Sequence, residues 1–320
     1  MSDIYAYLAI ARDPVADLGG RCRRNGWSAG KTLIAVLGGL AAAVAWAGSS
    51  LSSSRSSRLA DPLAVVAGMM LVGLVICAPI AAAEGVPASL HGSAWLWLAL
   101  SGAGNVGGLL ITYAAFRLGQ VSLVIPLVSC EGAIAAVIAV LAGERLGSAA
   151  AAALALAVVG VCMASIAPKR DAGAELEQAG TGRHLAAVSL ALVAALVFGG
   201  SLYATARAGA VLPSAWVVLS ARVIGTVALA VPFTLARGLR LPRAALPFVV
   251  TSGICEVLGF FAYTLASRHG IAVAAVLSSQ FSTLTVIGSY LLFGERLGRL
   301  QLVGVCTVIV GVSLISVATA

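Results

Sequence analysis

The sequence predicts an all-α integral membrane protein with ten transmembrane helices arranged as two five-helix inverted repeats. Three observations predict this fold class: a very apolar composition, ten long stretches with almost no charge, and an internal duplication. Hydrophobic residues make up 60% of the chain and charged residues only 10%. Soluble domains average about 45–50% apolar and 25% charged residues, so this composition indicates a chain surrounded by lipid.

The positions of the charged residues mark the membrane spans, because a spanning helix needs about 20 mostly apolar residues. Seven stretches contain no Asp, Glu, Lys, Arg or His: 32–54, 62–83, 92–116, 146–168, 185–206, 270–294 and 300–320. Three more carry one charge each: 118–143 with Glu131, 208–236 with Arg222, and 244–267 with Glu256. These stretches predict ten spans.

A polar segment divides the chain into two halves. Residues 169–184 form the longest polar interruption between the first and last spans, which is typical of a surface linker. The linker separates a first five-helix repeat, 32–168, from a second, 185–320. Residues 1–31 are predicted to be a polar N-terminal tail.

The two halves share sequence. Placing residue n on residue n+151 over 101–147 needs no gap and gives 13 identical pairs among 47. The run Gly-Glu-Arg-Leu-Gly occurs at 143–147 and again at 294–298. Because five is an odd number of spans, the second unit enters the membrane from the opposite side. Inverted repeats of this kind are common in secondary transporters.

The distribution of basic residues bears on partners and orientation. The net charge of +8 is spread over short connections rather than gathered on one face, so nucleic acid is not a predicted partner. A dense basic cluster precedes the first span, and the flank of the first helix often sets the orientation. We therefore expect a multi-pass protein of the inner or plasma membrane with a cytoplasmic N-terminus. A count over all connections favours the opposite orientation, with eleven basic residues against eight.

Three charged residues lie near the middle of their spans. A charge at a helix centre costs about 2.5–3.5 kcal/mol, so unpaired Glu131, Arg222 and Glu256 would be costly. We expect the carboxylates to bind a cationic group or a proton, and Arg222 to bind an anion or fix a carboxylate. Arg222 is expected to hold Glu256 from the adjacent span. The alternative is a structural ion pair that never meets substrate.

Four uncharged residues complete the candidate site. Asn105 aligns with Glu256 under the repeat, and Gln280 lies at the same predicted depth. Trp46 and Tyr263 are candidates for aromatic walls, since pockets combine apolar surface with a few polar groups. For Gln280 the alternative is a hydrogen bond between helices, and for Trp46 and Tyr263 it is a lipid-facing or packing role.

Two further acidic residues lie at the ends of predicted spans instead of near the middle. Glu144 and Glu295 close the fourth and ninth spans, and we expect them to cap helices and anchor interfaces. We expect a central cavity that Glu131 and Glu256 reach and that Glu144 and Glu295 do not.

No cofactor, metal site or catalytic residue is predicted. The six cysteines show no close pairing, and the three histidines lie at span edges or in the linker. Residues 102–107 spell the Gly-x-Gly-x-x-Gly pattern of dinucleotide-binding folds, but they lie inside an apolar span. Close helix packing by small residues is the favoured interpretation of these glycines.

Several motifs recur in both halves. The Gly-Glu-Arg-Leu-Gly run ends two spans, and Trp46–Ser49 in the first helix of the first half corresponds to Phe198–Ser201 in the second. Pro213 opens a helix that carries Arg222 nine residues later. Over roughly residues 33–318 the chain resembles the EamA family of the drug/metabolite transporter superfamily.

Two positions depart from the family pattern. Leu71 stands where the first half would carry the Arg, and Glu131 stands where family members often carry Pro. The first departure leaves the role of the Arg asymmetric. The second suggests a substrate or coupling chemistry particular to a subgroup.

The resemblance implies a secondary active transporter, typically an exporter, of small metabolites or drugs that works by alternating access. Its partners would be a small-molecule substrate and the lipid bilayer, with proton coupling and a homodimer as further possibilities. A membrane-embedded enzyme using Glu131, Glu256 and Arg222 is the first alternative, and a structural or receptor protein is the second. We expect no enzyme, since the sequence offers no nucleophile, metal cluster or large catalytic loop.

Overall fold

The computed structural model describes residues 29–118, 124, 127–165 and 181–293, together with parts of 300–314. Every regular element among these residues is helical. The elements are α1 (Ala29–Ser56), α2 (Pro62–Glu84), α3 (Ser93–Leu118), α4 (Glu131–Leu141), α5 (Ser148–Ser165), α6 (Thr181–Val211), α7 (Ser214–Gly225), a π-helical turn (Thr226–Ala230), α8 (Val231–Arg237), α9 (Leu246–Ser267), α10 (Ile271–Ser278) and α11 (Phe281–Phe293).

Six of these segments are long and apolar enough to cross a membrane. They are Leu33–Ser56, Pro62–Glu84, Ser93–Thr112, Leu185–Val211, Ser214–Ala236 and Leu246–Ser267. Three further predicted spans contain shorter apolar helical segments, Glu131–Leu141, Ala151–Gly160 and Ile271–Thr285, of which the last is divided by a turn. Much of the tenth predicted span, 300–320, lies outside the described residues. The expectation of an all-α, multi-pass membrane protein is confirmed for the described part of the chain.

The outer surface of the helices is apolar. Leu141 and Leu235 are each 82% exposed and Val75 is 73% exposed, with many other large aliphatic side chains beside them. Soluble monomers rarely expose continuous apolar surface on this scale. Hydrocarbon is the solvent that suits this surface.

Helices of one half pack mainly against helices of the other. In particular, α1 packs along α9, and α3 packs along α6. The 151-residue offset relates α1 to α6 and α3 to α9, so the two seams are equivalent under the repeat. The halves therefore interleave instead of forming two separate bundles.

Small residues allow these seams to close. A Cβ atom on Gly38 would lie 2.8 Å from the Ala266 Cβ, and one on Gly104 would lie 2.9 Å from the Ser201 Cβ. Close approach of backbones through small residues is a usual way for membrane helices to associate. The packing interpretation of the glycines at 102–107 is confirmed for Gly102 and Gly104.

Two spans are interrupted near their middle, a feature absent from the sequence analysis. A turn at Ser129–Cys130 precedes α4, and a turn at Ser279–Gln280 separates α10 from α11. The repeat offset places the two turns within one residue of each other. Non-helical backbone at membrane depth is tolerated only inside protein or beside a water-filled cavity. Both turns are therefore expected to face the protein interior and not the lipid.

The two ends of the bundle are closed by different contacts. Residues 85–92, 142–147, 212–213 and 268–270 meet at one end, hereafter the Glu144 end. The opposite end contains residues 57–61 and 238–245, where Val65, Met69 and Val249 pack with Ala60 and Leu241.

Candidate functional site

Arg222 is the most deeply buried charged residue described. It lies near the end of α7, and its side chain has no exposed surface. Its Nη2 lies 3.8 Å from Oε1 of Glu256, and Nη1 donates to the Met70 sulfur at 3.4 Å. The guanidinium also lies over the Phe260 ring, 5.1 Å from its centroid. Nε and Nη2 have no hydrogen-bond acceptor among the described residues, so the buried guanidinium keeps unused donors.

The first half leaves room for this side chain. A Cβ atom on Gly73 of α2 would lie 2.7 Å from the Arg222 Cδ. Met70, one turn earlier on α2, fits in the same way against Gly225, which follows Arg222 by three residues. The guanidinium is therefore accommodated between α2 of one half and α7 of the other.

Glu256 links the arginine to α1. Its side chain retains 17% of its exposure, whereas Arg222 retains none. The Ser49 side chain interacts with the Glu256 carboxylate. Ser49 and Ser252 share a hydrogen bond of 2.9 Å between their hydroxyl oxygens, and Ser252 also contacts the Met69 sulfur at 3.3 Å. Polar groups from α1, α2 and α9 thus surround the pair.

A group of aromatic rings lies next to Arg222. Trp46 contacts three rings, those of Phe260 at 5.1 Å, Tyr263 at 6.0 Å and Phe281 at 6.2 Å between centroids. The backbone of Gly259 lies against the Trp46 indole nitrogen and leaves no space for a side chain. We call Trp46, Arg222, Glu256, Phe260, Tyr263 and Phe281 the central cluster.

The polar atoms of these rings differ in their partners. The Tyr263 hydroxyl donates to the Leu202 carbonyl at 3.0 Å, which fixes the ring to α6. The Trp46 indole N–H has no acceptor among the described residues although it is buried. A buried donor without an acceptor costs free energy, and a polar group placed beside the indole would remove that cost.

Glu131 begins α4 directly after the turn at Ser129–Cys130 and is 8% exposed. Its carboxylate is close enough to Glu256 and Tyr263 for electrostatic interactions with both, as the Glu144 carboxylate is to Tyr263. Gly132 approaches Ala275 and Ser279 so closely that no side chain would fit there. Since the N-terminus of a helix favours a negative charge, the interrupted span offers the carboxylate a local stabilisation.

Two predicted site residues have weaker links to the cluster. Gln280 is buried at the turn after α10; its Nε2 donates to the Val276 carbonyl at 2.9 Å, and its Oε1 is unpartnered within the described chain. It precedes Phe281 of the cluster. Asn105 is buried on α3 with an unpartnered Oδ1, and no described contact joins it to Arg222 or Glu256.

Glu144 caps a helix of the other half. Its Oε2 accepts from the Ile271 and Ala272 backbone N–H groups at 3.2 and 3.3 Å, and its Oε1 accepts from Ala272 at 3.2 Å. Burial raises the pKa of Glu144, and the two backbone hydrogen bonds oppose that rise. The prediction that Glu144 caps a helix and anchors an interface is confirmed, while Glu295 lies outside the described residues.

The structure brings together most of the residues that the sequence predicted. Arg222 pairs with Glu256 as expected, Trp46 and Tyr263 connect to that pair through the Phe260 ring, and Glu131 interacts electrostatically with Glu256. Sequence reasoning missed Phe260, Phe281, Met70, Ser49 and Ser252. Phe260 lies one helical turn after Glu256, and that spacing was the available signal for its place on the same face.

Buried charges enclosed by apolar helices from two related halves are typical of transport proteins rather than soluble enzymes. The EamA-like transporter family model matches residues 33–166 and again residues 185–317. The chain belongs to this family and is a membrane transporter of the drug/metabolite type with two repeats.

Comparison with solved structures agrees on the fold. A crystal structure described only as that of a protein superimposes with a TM-score of 0.72 at 17% sequence identity. The match covers 89% of this chain and 97% of that chain. At this identity the likeness concerns the fold alone. No curated protein matches the sequence significantly.

Proposed function

We propose that the protein is a secondary active exporter of small metabolites or drugs that works by alternating access. Ten transmembrane helices form two five-helix repeats related by a pseudo-two-fold axis in the membrane plane. The equivalent seams of α1 with α9 and α3 with α6 support this arrangement, because exchanging the halves exchanges the seams. The protein resides in the inner or plasma membrane with its N-terminus in the cytoplasm.

The observation that carries the proposal is the incompletely satisfied Arg222–Glu256 pair at the junction of the halves. Their 3.8 Å separation is too long for a hydrogen bond, and the guanidinium retains two unpartnered nitrogen atoms. A structural ion pair would be expected to have its donors satisfied. The unused donors favour a site that completes its hydrogen bonds with substrate.

We assign the substrate-binding or coupling roles to Glu131, Glu256, Arg222, Asn105, Gln280, Trp46 and Tyr263. Trp46 and Tyr263 form an apolar wall beside the Arg222–Glu256 pair, and Glu131 exchanges a proton for the substrate. Asn105 and Gln280 each keep a buried amide oxygen without a donor, which suits them to accept from a substrate N–H or O–H when the central cavity opens.

Substrate identification begins with a thermal-shift screen of a metabolite library against the purified protein. A ligand present at 100 times its Kd stabilises a protein by about 2.7 kcal/mol, which is measurable in detergent. Hits are then tested for flux into proteoliposomes with an imposed pH gradient.

The flux assay also separates the proposal from a membrane-embedded enzyme. Recovery of the chemically unchanged compound inside the vesicles supports a carrier. Formation of a product by the protein in detergent solution, without net flux in vesicles, would contradict the carrier and favour the enzyme.

A further inference from the structure

The turn between α9 and α10 is held by two charged side chains of different origin. Arg268 belongs to the turn itself; its Nε donates to the Gly209 carbonyl at 2.7 Å, and its Nη2 donates to the Leu212 carbonyl at 3.0 Å. These acceptors end α6, which is in the same half. Glu144 comes from the first half and accepts from Ile271 and Ala272 of the second. The Arg268 contacts join two helices within a half, and the Glu144 contacts join the halves.

Six of the eleven buried side chains in the apolar cluster near Glu144 are alanines. The core cluster that joins α1, α4, α5 and α10 there consists of Ala35, Val36, Ala136, Ala139, Ala153, Leu154, Ala157, Ala272, Val273, Val276 and Leu277. Alanine buries little apolar area, and apolar stabilisation scales with that area. Separating these helices therefore sacrifices less packing than separating a leucine-rich interface would.

Directional bonds are correspondingly important for keeping this end closed. Side chains that hydrogen-bond between the halves at this end include Ser89 and Trp216, which donate to the Val211 and Gly85 carbonyls, and Glu144, whose carboxylate accepts from two backbone N–H groups. The bonded groups begin α10, where the helix dipole adds to the attraction for the negative carboxylate. Loss of this contact requires only that the turn at 268–270 move away from residues 142–147.

We infer that Glu144 is a gating residue: its hydrogen bonds to Ile271 and Ala272 hold the Glu144 end shut and break when that end opens. The inference rests on the alternating-access carrier proposed above, because such a carrier must open each end in turn. Arg268 moves with its own half, and its contacts persist in both conformations.

The test measures accessibility and needs no substrate. Single reporters, Val36→Cys at the Glu144 end and Val65→Cys at the opposite end, are placed in a background whose native cysteines are replaced. Both valines are buried where the halves meet, in separate clusters. The rate of labelling by a water-soluble maleimide is measured in lipid nanodiscs.

Glu144→Ala is expected to raise labelling of Val36→Cys about tenfold or more, since hydrogen bonds to charged groups are worth at least that factor. Labelling of Val65→Cys should fall. Glu84→Ala is the matched control, because Glu84 is an exposed carboxylate at the end of α2, on the same side of the protein. Glu84→Ala should leave both rates within about twofold of the parent protein.

A second variant removes a donor instead of the acceptor. Ile271 is the first residue of α10, a position at which proline is tolerated because its N–H bonds no helical carbonyl. Ile271→Pro should raise labelling of Val36→Cys about threefold and add little to Glu144→Ala, since both changes break the same contact. This variant keeps the test decisive if Glu144→Ala does not fold.

Two results would overturn the inference. Equal labelling of Val36→Cys in Glu144→Ala and Glu84→Ala would make the contact a static anchor. Faster labelling at both ends would indicate general loosening. Flux bears separately on the proposed carrier: normal flux with unchanged labelling refutes only the gate, whereas shifted labelling without any flux refutes only the carrier.

Discussion

The two halves contain equivalent helices but carry their charges at different positions. In the second half, α7 provides Arg222 and α9 provides Glu256. The equivalent residue for Arg222 in the first half is Leu71, and the equivalent residue for Glu256 is Asn105. The first half instead contributes Glu131 from its interrupted span. A duplicated scaffold therefore supports an asymmetric site.

This difference means that helices of one half surround the charged residue of the other half. Met70 and Gly73 flank the position of Leu71 on α2, and both lie against Arg222 or its helix. On the aromatic side, Gly259 of the second half makes room for Trp46 of the first. Matching small residues to large ones across the junction replaces strict symmetry.

The largest effects are expected from neutralising Glu131 and Glu256 separately. Glu131→Gln mimics the protonated form and is expected to abolish transport driven by a pH gradient while expression and helical content stay normal. Glu256→Gln should weaken substrate binding more than coupling, because Glu256 is engaged by Arg222. The measurements are proteoliposome flux with and without the gradient, and substrate Kd.

Glu131 loses its proposed coupling role if Glu131→Gln retains the full dependence of flux on the pH gradient. Glu84→Gln provides the control, since Glu84 is exposed at the end of α2. Its flux and gradient dependence should match those of the parent protein.

Replacing Arg222 by the residue found in the first half tests the asymmetry directly. Arg222→Leu leaves Glu256 without its counter-ion and is expected to cost about 3–5 kcal/mol of unfolding free energy. Arg222→Leu combined with Glu256→Gln should recover most of that stability but no transport. Denaturant unfolding in detergent measures the first effect and vesicle flux the second.

The exposed Arg240 offers a control for loss of a positive charge. Arg240→Leu should change the unfolding free energy by less than about 0.5 kcal/mol. A similar small effect for Arg222→Leu would show that the Arg222–Glu256 pair contributes nothing to the folded state.

Filling the space beside Arg222 should lower the free energy of unfolding by less than removing the Arg222 charge does. Gly73→Ala places a methyl group against the Arg222 side chain and is expected to destabilise the protein by about 1–3 kcal/mol. Gly200→Ala is the matched control within α6, because no neighbouring atom lies within 4 Å of its added Cβ. That change should instead stabilise the helix by about 0.5–1 kcal/mol.

The same denaturation assay compares the two glycine variants. If Gly73→Ala is as harmless as Gly200→Ala, the guanidinium is not confined by α2. If adding Gly73→Ala to Arg222→Leu raises the stability instead of lowering it, the side chains at positions 73 and 222 compete for one space.

The smallest effect concerns the hydroxyl that fixes the aromatic wall. Tyr263→Phe removes the hydrogen bond to the Leu202 carbonyl and should cost about 0.6 kcal/mol, the average for hydrogen bonds between membrane helices, and at most about 1.7 kcal/mol. Tyr203→Phe is the control, since the Tyr203 ring packs on Trp97 and its hydroxyl has no described partner. Equal stability of the two variants would argue against a structural role for the Tyr263 hydroxyl.

Much of the candidate site could be predicted from the sequence because charges are so rare in its spans. Arg222 and Glu256 had to find partners at membrane depth, and the pairing of adjacent spans followed from that requirement. Glu144 was recognisable as a cap because it follows a span and belongs to a repeated motif. Which helix it caps was not predictable, since α10 is 127 residues away along the chain.

The remaining contacts depend on which face each helix presents to its neighbours and which face it presents to lipid. Periodicity is a weak guide in a membrane protein, because lipid-facing and interior residues are both apolar. Phe281 is therefore indistinguishable by sequence from aromatic residues that face lipid, and only the spacing from Glu256 sets Phe260 apart. The turns at 129–130 and 279–280 escaped prediction for a different reason: serine and other small or polar residues also occur inside continuous membrane helices, so Ser129, Ser279 and Gln280 do not mark a break.

The membrane class, the duplicated halves and the charges that cannot face lipid all follow from the sequence. Composition and internal similarity belong to the chain itself, and the cost of an unpaired charge in hydrocarbon applies to each span separately. The tertiary structure decided the interleaving of the halves, the fit of Arg222 beside Gly73 and the reach of Glu144 to α10. These features depend on which small residues allow two backbones to approach. Such complementarity exists only between helices and is not encoded in either one alone.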